Sequence, residues 1–100
     1  MKQTYQMYFG RNTPEGYVTD TQWDEFKDVL DMTFNSYTVS NCTGVWQGEE
    51  ECTKYVTVST KHREKVLDVC TAYAKVFGQD AVGLLIGEPM QFVTKLSEVY

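Results

Sequence analysis

The sequence predicts an α+β fold, a four-stranded antiparallel sheet with two helices on one face. Three observations carry that reading. Alternating aromatic and β-branched stretches mark strands, two apolar stripes at helical spacing mark helices, and turn residues separate them in the order β-α-β-β-α-β. Gln3 to Gly10 alternates, with Tyr5, Met7 and Phe9 on one side, as a strand with one buried face does. Asn12, Pro14 and Gly16 make Arg11 to Gly16 a turn. Thr19 stands three before Gln22, a capping box that satisfies free amides at a helix start. Trp23, Phe26, Leu30 and Phe34 then follow at helical spacing, and Asn35-Ser36 is the exit.

Tyr37 to Trp46 reads as a second strand, Gln47 to Glu51 as a polar turn, and Thr53 to Ser59 as a third strand with Val56 and Val58 inward. Together they form a hairpin. Thr60 can cap a second helix whose stripe is Val66, Val69, Cys70, Tyr73 and Phe77, with His62 in its first turn and Gly78 at its stop. Ala81 to Ile86 is a continuous apolar strand broken by Pro89, and Gln91 to Leu96 adds a short edge strand. This order is the ferredoxin-like βαββαβ arrangement. The 100 residues make one domain, spanning 1–100, with no linker or repeat.

Composition removes several function classes. Nine Lys plus Arg against fourteen Asp plus Glu give a net charge of −5, the wrong sign for neutralising nucleic-acid phosphates. No apolar run has the length of a membrane span, and the N-terminus lacks the apolar core of a signal peptide, so the expected location is the cytoplasm. Cys42, Cys52 and Cys70 show no Cys-x-x-Cys spacing. Cys42 and Cys52 bracket the hairpin and can face each other across it, but in a reducing compartment all three read as small semi-buried apolar residues. One histidine, His62, beside Lys61 and Arg63, supplies neither a triad nor a zinc site, and no Gly-rich phosphate loop occurs. No cofactor is expected. Any catalysis has to come from binding and positioning.

Three segments hold residues beyond what a plain fold needs. Tyr8-Phe9-Gly10-Arg11 puts a glycine and a cation at a strand end. Thr43-Gly44-Val45-Trp46 sets a large π-face near Glu49-Glu50-Glu51, which suits a cation or an adenine bearing a positive group. Phe77-Gly78-Gln79-Asp80 leaves two polar residues before an apolar strand. Each also has a bland reading: a strand running into a turn, an acidic turn that aids solubility, and a punctuated helix stop.

Taken with Val18-Thr19-Asp20, Glu51-Cys52-Thr53-Lys54 and Tyr73, these segments resemble a bacterial and phage family of small domains of unknown function. The resemblance spans roughly residues 5–86 and implies a fold, not an activity. A second resemblance brings an activity. Ser40 to Trp46, the acidic pair after it, and Gln79-Asp80-Ala81-Val82 look like phage S-adenosylmethionine lyases. Those are small ferredoxin-like trimers with sites between subunits. They split S-adenosylmethionine into methylthioadenosine and homoserine lactone, depriving host restriction systems of their cofactor. The substrate's own carboxylate attacks, so no histidine, metal or protein nucleophile is required. Trp46 stands where those enzymes have a tyrosine, and matching their functional glutamate to Glu50 or Glu51 assumes a shorter hairpin turn.

The resemblance implies roles. Glu51 contacts the cationic substrate or its ribose and is the catalytic candidate, with Glu50 beside it. Trp46 stacks, while Tyr8, Arg11 and Lys54 complete the wall and hold the carboxylate end. The expected partners are an adenosyl compound and further copies of the chain in a homotrimer that buries Tyr8, Tyr55 and Thr57, with no nucleic acid and no membrane. Two other readings stand beside it. One is a non-catalytic nucleotide-binding or sequestering protein using Arg11, Lys54, Lys61 and Arg63. The other is a structural or protein-interaction module.

Overall fold

The computed structural model of the protein describes residues 2–89 and Leu96. The chain runs β1 (Gln3–Gly10), β2 (Asn12–Thr13), β3 (Gly16–Tyr17), α1 (Asp20–Thr33), β4 (Thr38–Trp46), β5 (Glu49–Thr60), α2 (Arg63–Phe77) and β6 (Gly83–Gly87). Four strands pair antiparallel in the order β4-β5-β1-β6, and β2 and β3 form a separate two-stranded ribbon. The sequence read that ribbon as turn alone; Asn12 pairs with Tyr17 and Thr13 with Gly16 around Pro14-Glu15. The edge strand expected over Gln91 to Leu96 lies outside the described residues, Leu96 apart.

Strand alternation builds the core. Tyr5, Met7 and Phe9 are buried and stand opposite Val58, Val56 and Lys54 of β5, and directly opposed residues share a face. Trp23, Phe26 and Leu30 of α1 and Val66, Val69 and Tyr73 of α2 complete the cluster. Phe9 is its hub, with ring centroids 5.8 Å from both Trp23 and Phe26 and 4.7 Å from Tyr73. Helix α1 opens on the expected capping box, in which Gln22 N–H donates to Thr19 Oγ1 and Thr19 N–H donates to Gln22 Oε1. Helix α2 ends on Gly78 at φ 63°, ψ 32°, the left-handed conformation that glycine adopts without steric cost.

Three boundaries differ from expectation. The hairpin turn is only Gln47-Gly48, because both residues take positive φ, 50° and 81°, as a tight two-residue connection requires. Glu49, Glu50 and Glu51 are therefore strand, and Trp46 pairs with Glu49. That register sets Cys42 opposite Thr53 and Cys52 opposite Thr43, so the two cysteines lie on opposite faces of the sheet and are exposed, not semi-buried. His62, not Thr60, is the cap residue of α2, and Thr60 Oγ1 accepts from its N–H. The last strand begins at Gly83 and leaves Ala81 and Val82 outside it.

Candidate functional site

The β4–β5 hairpin overruns the end of β1. Gly10 pairs with Thr53, while β4 and β5 stay paired four rungs further, to Trp46 and Glu49. Strand β6 starts opposite Tyr8, so β1 also outruns its other neighbour. The overhang encloses a cleft of about 530 Å³, within the range of small-molecule sites. Tyr8, Thr53, Glu51, Trp46, Gln79 and Asp80 are among its lining side chains.

Its floor is built from glycine. A Cβ on Gly10 would lie 2.5 Å from Glu51 Oε1, one on Gly44 3.0 Å from Thr53 Oγ1, and one on Gly83 3.4 Å from Tyr8 Cβ. The missing side chains leave room for the Glu51 carboxylate over β1 and for the Tyr8 ring beside β6. Tyr8 in turn packs on Tyr55, ring centroids 5.0 Å apart. Glu51 is partly buried, and its Oε2 accepts from Asn12 N–H at 3.1 Å. Asn12 is the junction of the site. Its Nδ2 donates to the Glu50 carbonyl at 3.3 Å, and its own carbonyl accepts from Gln79 Nε2. One asparagine thus ties the hairpin tip, the β1 exit and the α2 exit together.

A buried tyrosine holds the same corner from below. The Gly10 carbonyl points toward the β6 side, beyond where β6 begins, and so has no ladder partner there. Tyr73 Oη donates to it at 2.7 Å. Burial raises the Tyr73 pKa above the ordinary phenol value; the Arg11 charge opposes that shift and Glu51 adds to it. The phenol therefore stays protonated and remains a donor.

Of the residues singled out in the sequence, Tyr8, Trp46 and Glu51 meet at this cleft, and Arg11, Lys54 and Glu50 do not line it. Alternation is the reason. Lys54 stands opposite Phe9, on the core side, with Nζ 5.7 Å from the centre of the Trp23 ring and bonded to Asn41 Oδ1. Arg11 is 9% exposed and already committed, donating from Nε to Val18 O at 2.9 Å and from Nη2 to Asp20 Oδ1 at 2.8 Å. Both border a second, more open cleft on the other side of the hairpin. Glu50 points away from Glu51 for the same period-2 reason, whereas Glu49 shares the Glu51 face and lines the cleft. Sequence reading missed Asn12, taken only as a turn residue, and assigned Tyr73 to the core and Gln79 to a helix exit. The Asn-x-Pro turn beside a glycine-ended strand was the one available signal for Asn12.

Among the described residues no three His, Cys, Asp or Glu side chains group to hold a metal ion, and no helix is long and apolar enough to cross a membrane. No curated protein matches the chain. The segments singled out in the sequence nevertheless converge: Tyr8-Phe9-Gly10, Gly44-Val45-Trp46, Glu51 to Thr53 and Gly78-Gln79 all reach this one cleft or its floor. They fall inside the span of a family model that matches residues 4–92, and the chain belongs to that family, the proteins of unknown function designated DUF3574.

Proposed function

We propose that the chain is a ferredoxin-like small-molecule-binding domain whose cleft takes a flat ring bearing a positive group, with S-adenosylmethionine as the ligand and lyase cleavage as the reaction. The strand order β4-β5-β1-β6, with Phe9 met by side chains of both helices, supports the ferredoxin-like assignment. The observation that carries the ligand class is Glu51. Its carboxylate is held over Gly10 by the Asn12 N–H, in the same cleft as Tyr8, Trp46, Glu49 and Asp80. A fixed anion among aromatic walls favours a cation with a π-surface.

The chemistry narrows the role of Glu51. In the proposed step a carboxylate oxygen of the substrate attacks its own Cγ, the C–S bond breaks, and the electron pair goes to sulfur. Methylthioadenosine leaves neutral, and homoserine lactone keeps the ammonium. The sulfonium charge vanishes along this path, so a carboxylate against sulfur would stabilise the ground state more than the transition state. Glu51 therefore serves on the ammonium or the ribose hydroxyls, where its contact persists. Acceleration comes from holding the carboxylate in line with the C–S bond. A nucleotide phosphate is less well served. Arg11 and Lys54 stand on the other face, and Lys61 and Arg63 follow Thr60, at the end of β5 remote from the cleft.

Incubation of the purified protein with S-adenosylmethionine, followed by chromatographic detection of methylthioadenosine, tests the reaction. Titration calorimetry tests the binding. Glu51→Gln is expected to abolish both and Glu50→Gln to leave both intact, since the two remove the same charge from opposite faces. Binding without product would turn the reading to sequestration. Neither heat nor product would end the adenosyl assignment, and equal losses in the two variants would reduce Glu51 to a contributor to a general field.

A further inference from the structure

A second cleft lies on the helix-facing side of the β4–β5 hairpin, and we infer that it binds a free α-amino acid, carboxylate toward the sheet and ammonium toward α1. Its volume is about 690 Å³, again within the range of small-molecule sites. The inference is independent of what the Glu51 cleft binds.

The sheet wall is cationic. Asn41 stands opposite Lys54 and Thr43 opposite Cys52, so these four side chains share one face. Lys54 is also opposite Phe9, and Arg11, two residues beyond Phe9, returns to that face, where its N–H meets the Cys52 carbonyl. Arg11 and Lys54 are therefore diagonal neighbours across β1 and β5. Both are held in place before any ligand arrives. The Arg11 guanidinium is fixed through Nε to Val18 and through Nη2 to Asp20, which leaves Nη1 uncommitted among the described residues. Lys54 Nζ donates to Asn41 Oδ1 over the Trp23 ring, and the same bond leaves the Asn41 Nδ2 as a further donor.

The helix wall is anionic. Asp20 and Asp24 stand one turn apart on α1 and both line the cleft. Asp20 is spent on Arg11. Asp24 and Lys54 carry opposite charges and line the same cleft, yet neither has an ion-pair partner among the described residues. Lys54 is half-buried, and an ammonium so placed is costly to hold without a carboxylate; the Trp23 face offsets part of that cost. A ligand carrying both charges completes both pairs at once. A plain anion would meet Asp24, a phosphate dianion would meet it more strongly, and a plain amine would meet Arg11 and Lys54. A small zwitterion satisfies both walls.

Titration calorimetry on the full chain with each common α-amino acid other than cysteine, at millimolar concentration, tests it. At least one is expected to give saturable heat. Its amide, which lacks the carboxylate, and its des-amino acid, which lacks the ammonium, are expected to give none. Cys52 lines this cleft, so the bound amino acid should slow its labelling by a neutral thiol reagent and leave Cys42, whose side chain is on the other face, unaffected. Lys54→Met keeps an apolar stem on Trp23 and removes the charge, and Asp24→Asn removes the opposite charge from an exposed position. Each loses a charge-assisted contact and should weaken binding about tenfold or more. Lys61→Met removes the same charge outside the cleft and should leave binding unchanged. If Lys54→Met fails to fold, Asp24→Asn decides alone. The proposal is overturned by no saturable heat with any of the amino acids, or by an amide or des-amino analogue that binds as tightly as its parent. Binding that leaves Cys52 labelling untouched, or an equal loss in Lys61→Met, overturns it as well.

Discussion

An alanine at position 10 would put a methyl carbon 2.5 Å from Glu51 Oε1, where ordinary contact begins at 3.4 Å. The carboxylate, at the end of a flexible side chain, has to retreat by roughly 1 Å. That takes Oε2 from 3.1 Å to beyond hydrogen-bond reach of Asn12 N–H. Losing the bond at this exposed position costs on the order of 1 kcal/mol. Replacing glycine within a strand returns about 0.5–1 kcal/mol through the unfolded chain. The two nearly cancel, so the melting temperature of Gly10→Ala is expected to stay within about 8 °C of wild type. The site changes more than the fold. Amide hydrogen exchange read by nuclear magnetic resonance should show the Asn12 N–H losing its protection. Gly44→Ala is the control, because its Cβ meets the Thr53 hydroxyl at 3.0 Å, which can rotate, and no Glu51 atom nearer than Cγ at 3.9 Å. Asn12 should keep its protection there. An Asn12 amide equally protected in Gly10→Ala and wild type would refute the placement of Glu51 over Gly10.

Three further outcomes follow from the same packing. Tyr73→Phe leaves the Gly10 carbonyl without its 2.7 Å donor and should cost about 1–2 kcal/mol, roughly 5–12 °C in a thermal melt; an unchanged melt would show that water replaces the phenol. Burial pushes the Cys70 thiol up to about 11, while Cys42 and Cys52 are exposed, so a thiol reagent near pH 8 should label two cysteines quickly and the third only on unfolding. The Tyr37 phenol is pushed up to about 12, first by burial and then by donating to the Asp31 carboxylate. Its folded pKa exceeds its unfolded value of 10, so its contribution is complete below pH 10 and is lost as pH rises toward 12. Denaturant titrations of wild type and Tyr37→Phe should converge over that window, and a constant difference would contradict the assignment.

The core elements were legible because each rests on a local period. Tyr5, Met7 and Phe9 alternate, Trp23, Phe26 and Leu30 recur at helical spacing, and Gly78 marks its own stop. The site was only half legible, because its composition depends on register. A turn over Gln47 to Glu51 and a turn of Gln47-Gly48 alone pair β4 with β5 differently, and a shift by an odd step turns every side chain to the other face. That is why Cys42 and Cys52 part, and why Glu49 joins Glu51 at the cleft. Lys54 falls on the core side because it lies opposite Phe9, which no local pattern reveals. The commitment of Arg11 to Val18 and Asp20 was equally hidden, since a turn over residues 11–16 shows that the chain reverses but not which groups the arginine meets on the way back.

The position of the cleft follows from unequal strand lengths. A sheet whose strands ended level would present a flat rim there. Here β4 and β5 run on past Gly10 while β6 starts only opposite Tyr8, so β1 ends inside a notch. Backbone groups at such a notch lose ladder partners and must find others. Tyr73 satisfies the Gly10 carbonyl, Gln79 the Asn12 carbonyl and Glu51 the Asn12 N–H. The last of these uses one oxygen of a two-oxygen group. The Asn12 bond engages Oε2, and Oε1 has no other hydrogen bond among the described residues. A carboxylate anchored through one oxygen has its direction set before a ligand arrives, and the ordering entropy of a free glutamate is already spent. Glu49 shares the face but has no such anchor among the described residues. The asymmetry between two glutamates two rungs apart on one face is what makes Glu51 the residue on which binding at this cleft should turn.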